Sequence, residues 1–313
     1  MPRFVLYRLA GIVPLLLVIS ILTFLLLHLV PGSVADVILG TAATPQTVKE
    51  LNHQLGLDKP LTTQYLTWLG HALQGNLGTS TKTAEPVFST ISSRLPATLS
   101  LTLGATFFAV LVGLGLGVWS SLRPGGVLDR VITTVASGAL ALPSFWVGIL
   151  LSVFVGVRLG WLPAGGYIPF SYYTVGWFES LVLPWIALAL PSAAVLARQM
   201  RSSMIAVLRS DFIRAALAAG VPRRRVLWRH AFKNALTPVI PVIAFQLVVI
   251  LGTSFVVEQA FNINGVGSMA VQAIFDRDIP LVQGTVLVVA VIVLLANLLA
   301  DVAFAWVNPK ARA

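Results

Sequence analysis

The chain has 313 residues, of which 57% are hydrophobic and only 10% charged, with a mean hydropathy of +0.89. Soluble domains carry roughly a quarter charged residues, so a water-soluble globule is excluded and the chain is counted in membrane spans. A formal charge of +10 admits nucleic acid as a partner only if the cations form a face on a soluble fold, and the absence of cysteine removes disulfides, thiolate metal sites and cysteine nucleophiles.

Apolar runs of about 20 residues, long enough for a helix to satisfy its own backbone across hydrocarbon, occur six times. The first, Leu9 to Val30, follows Arg3 and Arg8 and lacks a small-residue cleavage site before Pro31, so it is read as a retained helix rather than a leader peptide. The next segment, 31–96, is polar and broken by glycine and proline. Its Leu61, Tyr65, Leu66, Trp68, Leu69 and Leu73 nevertheless recur at helical spacing, which predicts a small folded cap with one helix of about ten residues. The remaining spans are Ala97 to Trp119, Val131 to Val157, Ser180 to Leu196, Pro238 to Val257 and Leu281 to Trp306. Pro143, Pro184 and Pro191 fall inside spans, and Pro238 and Pro241 open the fifth. Each removes a backbone hydrogen bond, which serves either an ordinary kink or a break along a transport path.

Orientation follows from lysine and arginine, which are retained on the cytoplasmic side during insertion. With the N-terminus inside, the inner segments hold fifteen: Arg3, Arg8, Arg123, Arg130, Arg198, Arg201, Arg209, Arg214, Arg223, Arg224, Arg225, Arg229, Lys233, Lys310 and Arg312. The longer outer segments hold six, namely Lys49, Lys59, Lys82, Arg94, Arg158 and Arg277. Both termini are therefore expected in the cytoplasm of a multi-pass cell-membrane protein. The positive charge is accounted for by topology, which disposes of nucleic acid. The expected divisions are 1–30 (tail and first helix), 31–96 (extracytoplasmic cap), 97–306 (transmembrane core with the cytoplasmic loop 198–237) and 307–313 (tail).

Within that loop Ser210 or Asp211 can cap a helix, Ala215, Ala216, Ala218 and Ala219 favour one, and Gly220 with Pro222 ends it. The spacing predicts a helix of about nine residues. Its small side chains suit close docking into a partner's groove, with Phe212, Ile213 and Leu217 as anchors. A helix lying on the membrane with its arginines toward anionic lipid is equally supported by these residues alone.

Uphill transport needs an energy source, yet no Gly-Lys dipeptide occurs and a phosphate-binding P-loop is therefore absent. HExxH and GxSxG are absent too, and His28, His53, His71 and His230 are scattered. Glu179, Glu258 and Asp301 fall at or near span ends, where snorkelling or interhelix pairing explains them better than ion coupling at the midplane.

Four stretches carry a resemblance: ISILTFLLLHLVPGSVAD from Ile19, LGLDKPLTTQYLTWLGHALQGNLGTS from Leu55, RLPATLSLTLGA from Arg94 and VVEQAFNINGVGSMAVQAIFDRDIPLVQG from Val256. In that order they resemble the permease subunits of ATP-binding-cassette importers of the dipeptide, oligopeptide and nickel type. The loop resembles that family's EAA motif, E-A-A-x-x-x-G. Arg214, Ala215, Ala216 and Gly220 fall on it, with Arg214 departing from the acidic position.

The resemblance implies an all-α integral membrane protein with the type I importer permease fold, six transmembrane helices and an extracytoplasmic cap between the first two. It implies no enzyme activity and no cofactor in this chain. Its implied partners are a second, homologous permease forming a heterodimer, two ATPase subunits that bind ATP and magnesium, an extracytoplasmic solute-binding protein and the lipid bilayer. The ATPase-coupling residues it points to are Asp211, Phe212, Ile213, Arg214, Ala215, Ala216, Leu217 and Gly220. Peptides are the expected solute. The alternatives are nickel or another small solute, or a secondary transporter that works without ATP.

Overall fold

A computed structural model describes residues 2–28, 35, 39, 42–54 and 56–307. The expected beginning of the cap at Pro31, Leu55 within it and the tail cations Lys310 and Arg312 lie outside the described residues. The regular elements formed by the described residues are helical, apart from an isolated antiparallel bridge between Thr79 and Pro86. In chain order they are α1 (Pro2–His28), α2 (Pro45–Gln54), α3 (Leu61–Leu73), α4 (Val87–Leu122), α5 (Val127–Ala141) and α6 (Ser144–Leu151), which runs on as a π-helical stretch, Ser152–Arg158. There follow α7 (Thr174–Leu208), α8 (Asp211–Ala218), α9 (Arg223–Arg225) with a second π-helical stretch Val226–Phe232, α10 (Lys233–Leu236), α11 (Ile240–Ala260), α12 (Val266–Phe275) and α13 (Ile279–Val307).

Among the described residues four helices are long and apolar enough to cross a membrane: Val87–Leu122, Thr174–Leu208, Ile240–Ala260 and Ile279–Leu299. The expected third span departs from a simple helix. It is two helices bent by 98° at a break where Leu142 takes extended φ/ψ of −92° and 125° ahead of Pro143. The cause is local, because the proline ring clashes with a helical conformation of the residue before it. Counted as one span, the bent pair makes five. The expected first span is helical over Pro2–His28, with its apolar stretch described over Ala10–Leu25, so length and apolarity among the described residues do not reach the predicted six.

The chain divides into two compact units. One comprises Pro2–Pro96 and Gly265–Leu295. Here the expected cap helix exists as α3, and it lies on α1: the Tyr65 hydroxyl meets Ser20 Oγ at 2.8 Å, and the Phe24 ring contacts those of Tyr65 and Trp68. A second helix, α2, precedes it, and His53 Nδ1 meets Asp58 at 2.6 Å, a hydrogen bond that holds this carboxyl below its ordinary pKa. The unit's core is Leu77, Val87, Ile91, Val266, Met269, Ala273 and Leu281. Asp278 fastens the segment before α4: it accepts from Ser80 Oγ, from the Thr81 N–H at 3.2 Å and from the Leu281 N–H at 3.3 Å. Gly284 is required there because a Cβ would stand 2.5 Å from the Val87 side chain.

The other unit holds Ala97–Asn264 and the described residues from Ala296 to Val307. Its axis is α7, whose 35 residues extend about 52 Å at 1.5 Å per residue. Leu181, Leu188, Leu196, Met200 and Met204 are fully buried along it, and it packs against α5, α6, α10 and α11. Pro184 and Pro191 lie inside this helix without ending it. The α4–α7 seam depends on glycines. A Cβ at Gly113 would sit 2.7 Å from the Leu196 Cβ, one at Gly117 would sit 2.7 Å from the Ala197 carbonyl oxygen, and one at Gly104 would enter the Trp185 ring at 2.1 Å. This is the small-residue contact by which helices approach in lipid, where dispersion and backbone proximity replace the hydrophobic effect. Trp185 Nε1 donates to the Ser100 carbonyl at 3.0 Å, which fixes the ring over Gly104.

Candidate functional site

Helix α8 begins with Ser210 at the N-cap, in extended backbone (φ −71°, ψ 154°). The expected side-chain cap does not form, since the Ser210 hydroxyl turns back to donate to the Val207 carbonyl at 2.5 Å. Serine hydroxyls make this local bond readily, in competition with capping. The Ser210 carbonyl still accepts from the Ile213 and Arg214 N–H groups, both at 3.2 Å, and Asp211 sets a negative charge against the positive helix end.

The C-terminus forms as predicted, and its mechanism is visible. Gly220 adopts φ +80°, its N–H donates to the Leu217 carbonyl at 3.0 Å, and the Val221 N–H donates to the Ala216 carbonyl at 3.1 Å. These two bonds are the Schellman pair, closed by packing of Val221 and Ala216 against the core before Pro222 prevents further helix. Among the described residues, its two chain neighbours aside, no atom lies within 4 Å of a Cβ placed on Gly220, so backbone conformation selects the glycine and space does not.

The helix therefore has two faces. Ile213, expected to be an outward anchor, is 1% exposed and sits in the same core as Met200, Met204, Val226, Ala231 and Ala235. Its sec-butyl side chain falls on the inward side together with Ala216. Asp211, Phe212, Arg214, Ala215, Leu217, Ala218 and Ala219 are exposed, as is Gly220. Arg214 is occupied locally: Nη2 lies 2.8 Å from Asp211 and 3.4 Å from the Arg209 carbonyl. Beyond the turn Arg223, Arg224, Arg225 and Arg229 are exposed while Val226, Ala231 and Ala235 are buried, so the return leg is anchored by small apolar residues and presents its cations outward.

One polar pair escaped the sequence, and another takes one of the two forms expected for it, interhelix pairing rather than snorkelling. Asp129, at the start of α5, pairs bidentately with Arg201 on α7, Nε at 2.5 Å and Nη2 at 2.6 Å. The sequence marks Arg201 only as one of the cytoplasmic topology charges. Glu258, expected to be peripheral, is fully buried and accepts from Thr98 Oγ1 at 2.7 Å, an interhelix pairing between residues 160 positions apart. Among the described residues no three His, Asp or Glu side chains converge as a metal site.

The profile of the binding-protein-dependent transport system inner membrane component matches residues 109–313, and that family's N-terminal profile matches 1–102. The chain belongs to this family. A Brucella abortus protein described as a peptide transport system permease is 39% identical over 312 residues, covering 100% of this permease and 99% of the relative. The glutathione transport system permease protein GsiC of Salmonella choleraesuis is 38% identical, with 100% and 99% covered. A peptide ABC transporter permease described from Sinorhizobium fredii is 36% identical, with 99% of each chain covered. In fold the permease is similar to the MetNI methionine ABC transporter solved in an inward-facing conformation, with a TM-score of 0.53, 22% identity, and 68% of this chain and 93% of that chain covered. It is thus a multi-pass inner-membrane permease subunit of an ATP-binding-cassette importer, in which ATP hydrolysis belongs to separate subunits.

Proposed function

We propose that this permease forms half of a translocation pathway for peptides, and that α8 with Gly220 is the contact through which ATPase subunits drive it. Peptide transport is named for the Brucella and Sinorhizobium relatives, and glutathione, named for the Salmonella relative, is itself a tripeptide. The observation that carries the coupling role is the outward face of α8. Ala215, Ala218 and Ala219 leave its backbone accessible between the exposed Phe212 and Leu217, while Ile213 ties the same helix into the core. A push on the outer face is thereby delivered to α7 and to the return leg, whose Ala235 carbonyl accepts from Ser203 Oγ at 2.7 Å.

In this reading ATP and magnesium are held by two partner ATPases, a second permease completes the pathway as a heterodimer, a solute-binding protein delivers the peptide outside, and both chain termini are cytoplasmic. ATP binding closes the ATPases, displaces α8 and opens the cavity outward. Because the coupling is a free energy shared between sites, solute loading shifts ATP affinity by the same factor. The test is reconstitution of the full transporter in proteoliposomes with uptake of dialanine, trialanine, pentaalanine and glutathione. ATP-dependent uptake of at least one is expected, and Gly220→Glu, which adds a charge to the contact face, stops uptake and reduces ATPase copurification. Intact uptake with normal copurification in that variant refutes the coupling role, and failure of all four peptides refutes the solute class.

A further inference from the structure

The carboxylate of Asp129 is 5% exposed and is met from three directions. Ser120 Oγ, near the end of α4, donates to one oxygen, the Gly125 N–H of the intervening turn donates to the other at 2.7 Å, and Arg201 of α7 closes both with its fork. Gly125 adopts φ +79°, which turns the α4–α5 corner so that its N–H faces the carboxylate. A carboxylate oxygen pair has about four lone-pair directions, and these four donors occupy them, with the Thr133 hydroxyl a distant fifth at 3.5 Å. A carboxylate this deeply buried depends on its donors, and loss of one partner leaves an uncompensated charge. The ends of α4 and α5 are thereby tied to one specific turn of α7.

That turn also meets the loop. Ser203 is two residues on, about 200° around the helix, so it faces the opposite side from Arg201 and holds the return leg through Ala235. Met200 and Met204, flanking both, are fully buried in the core that holds Ile213 of α8. One turn of α7 therefore carries the α4–α5 corner on one side and the loop on the other.

We propose that Asp129 and Arg201 are positioning residues for transport, fastening α4 and α5 to α7 so that displacement of α8 moves all three helix ends as one body. This rests on the reading of α8 as the ATPase contact. It assigns the pair a permanent clasp rather than a switch that opens during the cycle.

The test uses the assembled transporter in proteoliposomes, with uptake per ATP hydrolysed measured on whichever of the four peptides the unaltered protein takes up fastest. Arg201→Lys keeps the charge and loses the fork. Its uptake per ATP falls by about two- to thirtyfold, the range for residues that couple sites without touching a ligand, while ATPase copurification stays normal. Because the chain has no cysteine, Asp129→Cys with Arg201→Cys supplies the only thiol pair of this subunit and removes both charges together, leaving neither one stranded. This double variant loses coupling as Arg201→Lys does, and a short bis-maleimide bridge across the two thiols restores it. An unchanged uptake ratio in Arg201→Lys overturns the proposal, and so does an inactive bridged protein, which would mean that the pair must open. Gly220→Glu in the same assay separates the two ideas: if it blocks uptake while Arg201→Lys is normal, the clasp alone fails, and if it transports normally, the reading of the loop fails.

Discussion

Gly220 shows how one residue sets the end of the exposed helix. At φ +80° with open space around its Cβ position, replacement by alanine is penalised only by the left-handed backbone, about 1–2 kcal/mol. Gly220→Ala is expected to fray α8 and speed tryptic cleavage at Arg223–Arg225, with uptake reduced but not abolished. Cleavage at the unaltered rate would show that the Schellman turn does not hold this loop. The end of α8 was legible in the sequence because glycine, proline and the two carbonyls they leave for capping lie within seven residues of one another. Ser210 was only half legible: its position was right, but its hydroxyl had two local acceptor and donor choices, and it donates to Val207. For Ile213 and Phe212, adjacent apolar residues on a short helix, nothing in the sequence distinguishes inward from outward. The 1% exposure of Ile213 against 48% for Phe212 is decided by the core of α7 and the return leg.

At the scale of elements, α4 and α7 meet through side chains that are absent. A Cβ at Gly117 would stand 2.7 Å from both the Ala197 carbonyl oxygen and the Met200 Cβ, whereas one at Gly115 meets nothing within 4 Å among the described residues beyond its own helix backbone. Gly117→Leu should force the helices apart and destabilise by about 1–3 kcal/mol, as overpacking does. Gly115→Ala should be neutral or stabilising by up to about 1 kcal/mol through helix propensity. Thermal unfolding of the two purified variants in detergent checks this, and equal midpoints would remove the seam from the account. The sequence offered these glycines without saying which were contacts, since the answer depends on what α7 presents opposite each. The bend at Pro143 was legible as a break, because the clash of proline with the preceding residue is local. The bend angle of 98° was not, because the packing of α5 and α6 against α7 sets it.

For the molecule as a whole, the proposed topology has a direct check in the cysteine-free chain. Single cysteines at Lys82 and Arg224, both exposed, should react oppositely with a membrane-impermeant maleimide. Lys82→Cys is expected to label from the outer face, and Arg224→Cys only after the membrane is opened. The reverse pattern would invert the orientation drawn from the charge bias and with it the side on which α8 meets its partners.

The sequence by itself determined the membrane class, the positions of most spans, the existence of helix α3, the charge asymmetry and the end of α8. Each of these is written in composition or in residues a few positions apart, where chain connectivity already brings the groups together. Tertiary structure decided that Asp129 meets Arg201, that Glu258 meets Thr98, that Asp278 holds Ser80, and which glycines lie in the seam. Those partners are separated by 72, 160 and 198 residues in the three polar pairs, so their meeting depends on how whole helices pack. A buried charge must find its donors wherever the packed helices carry them, and no local rule of spacing encodes that choice.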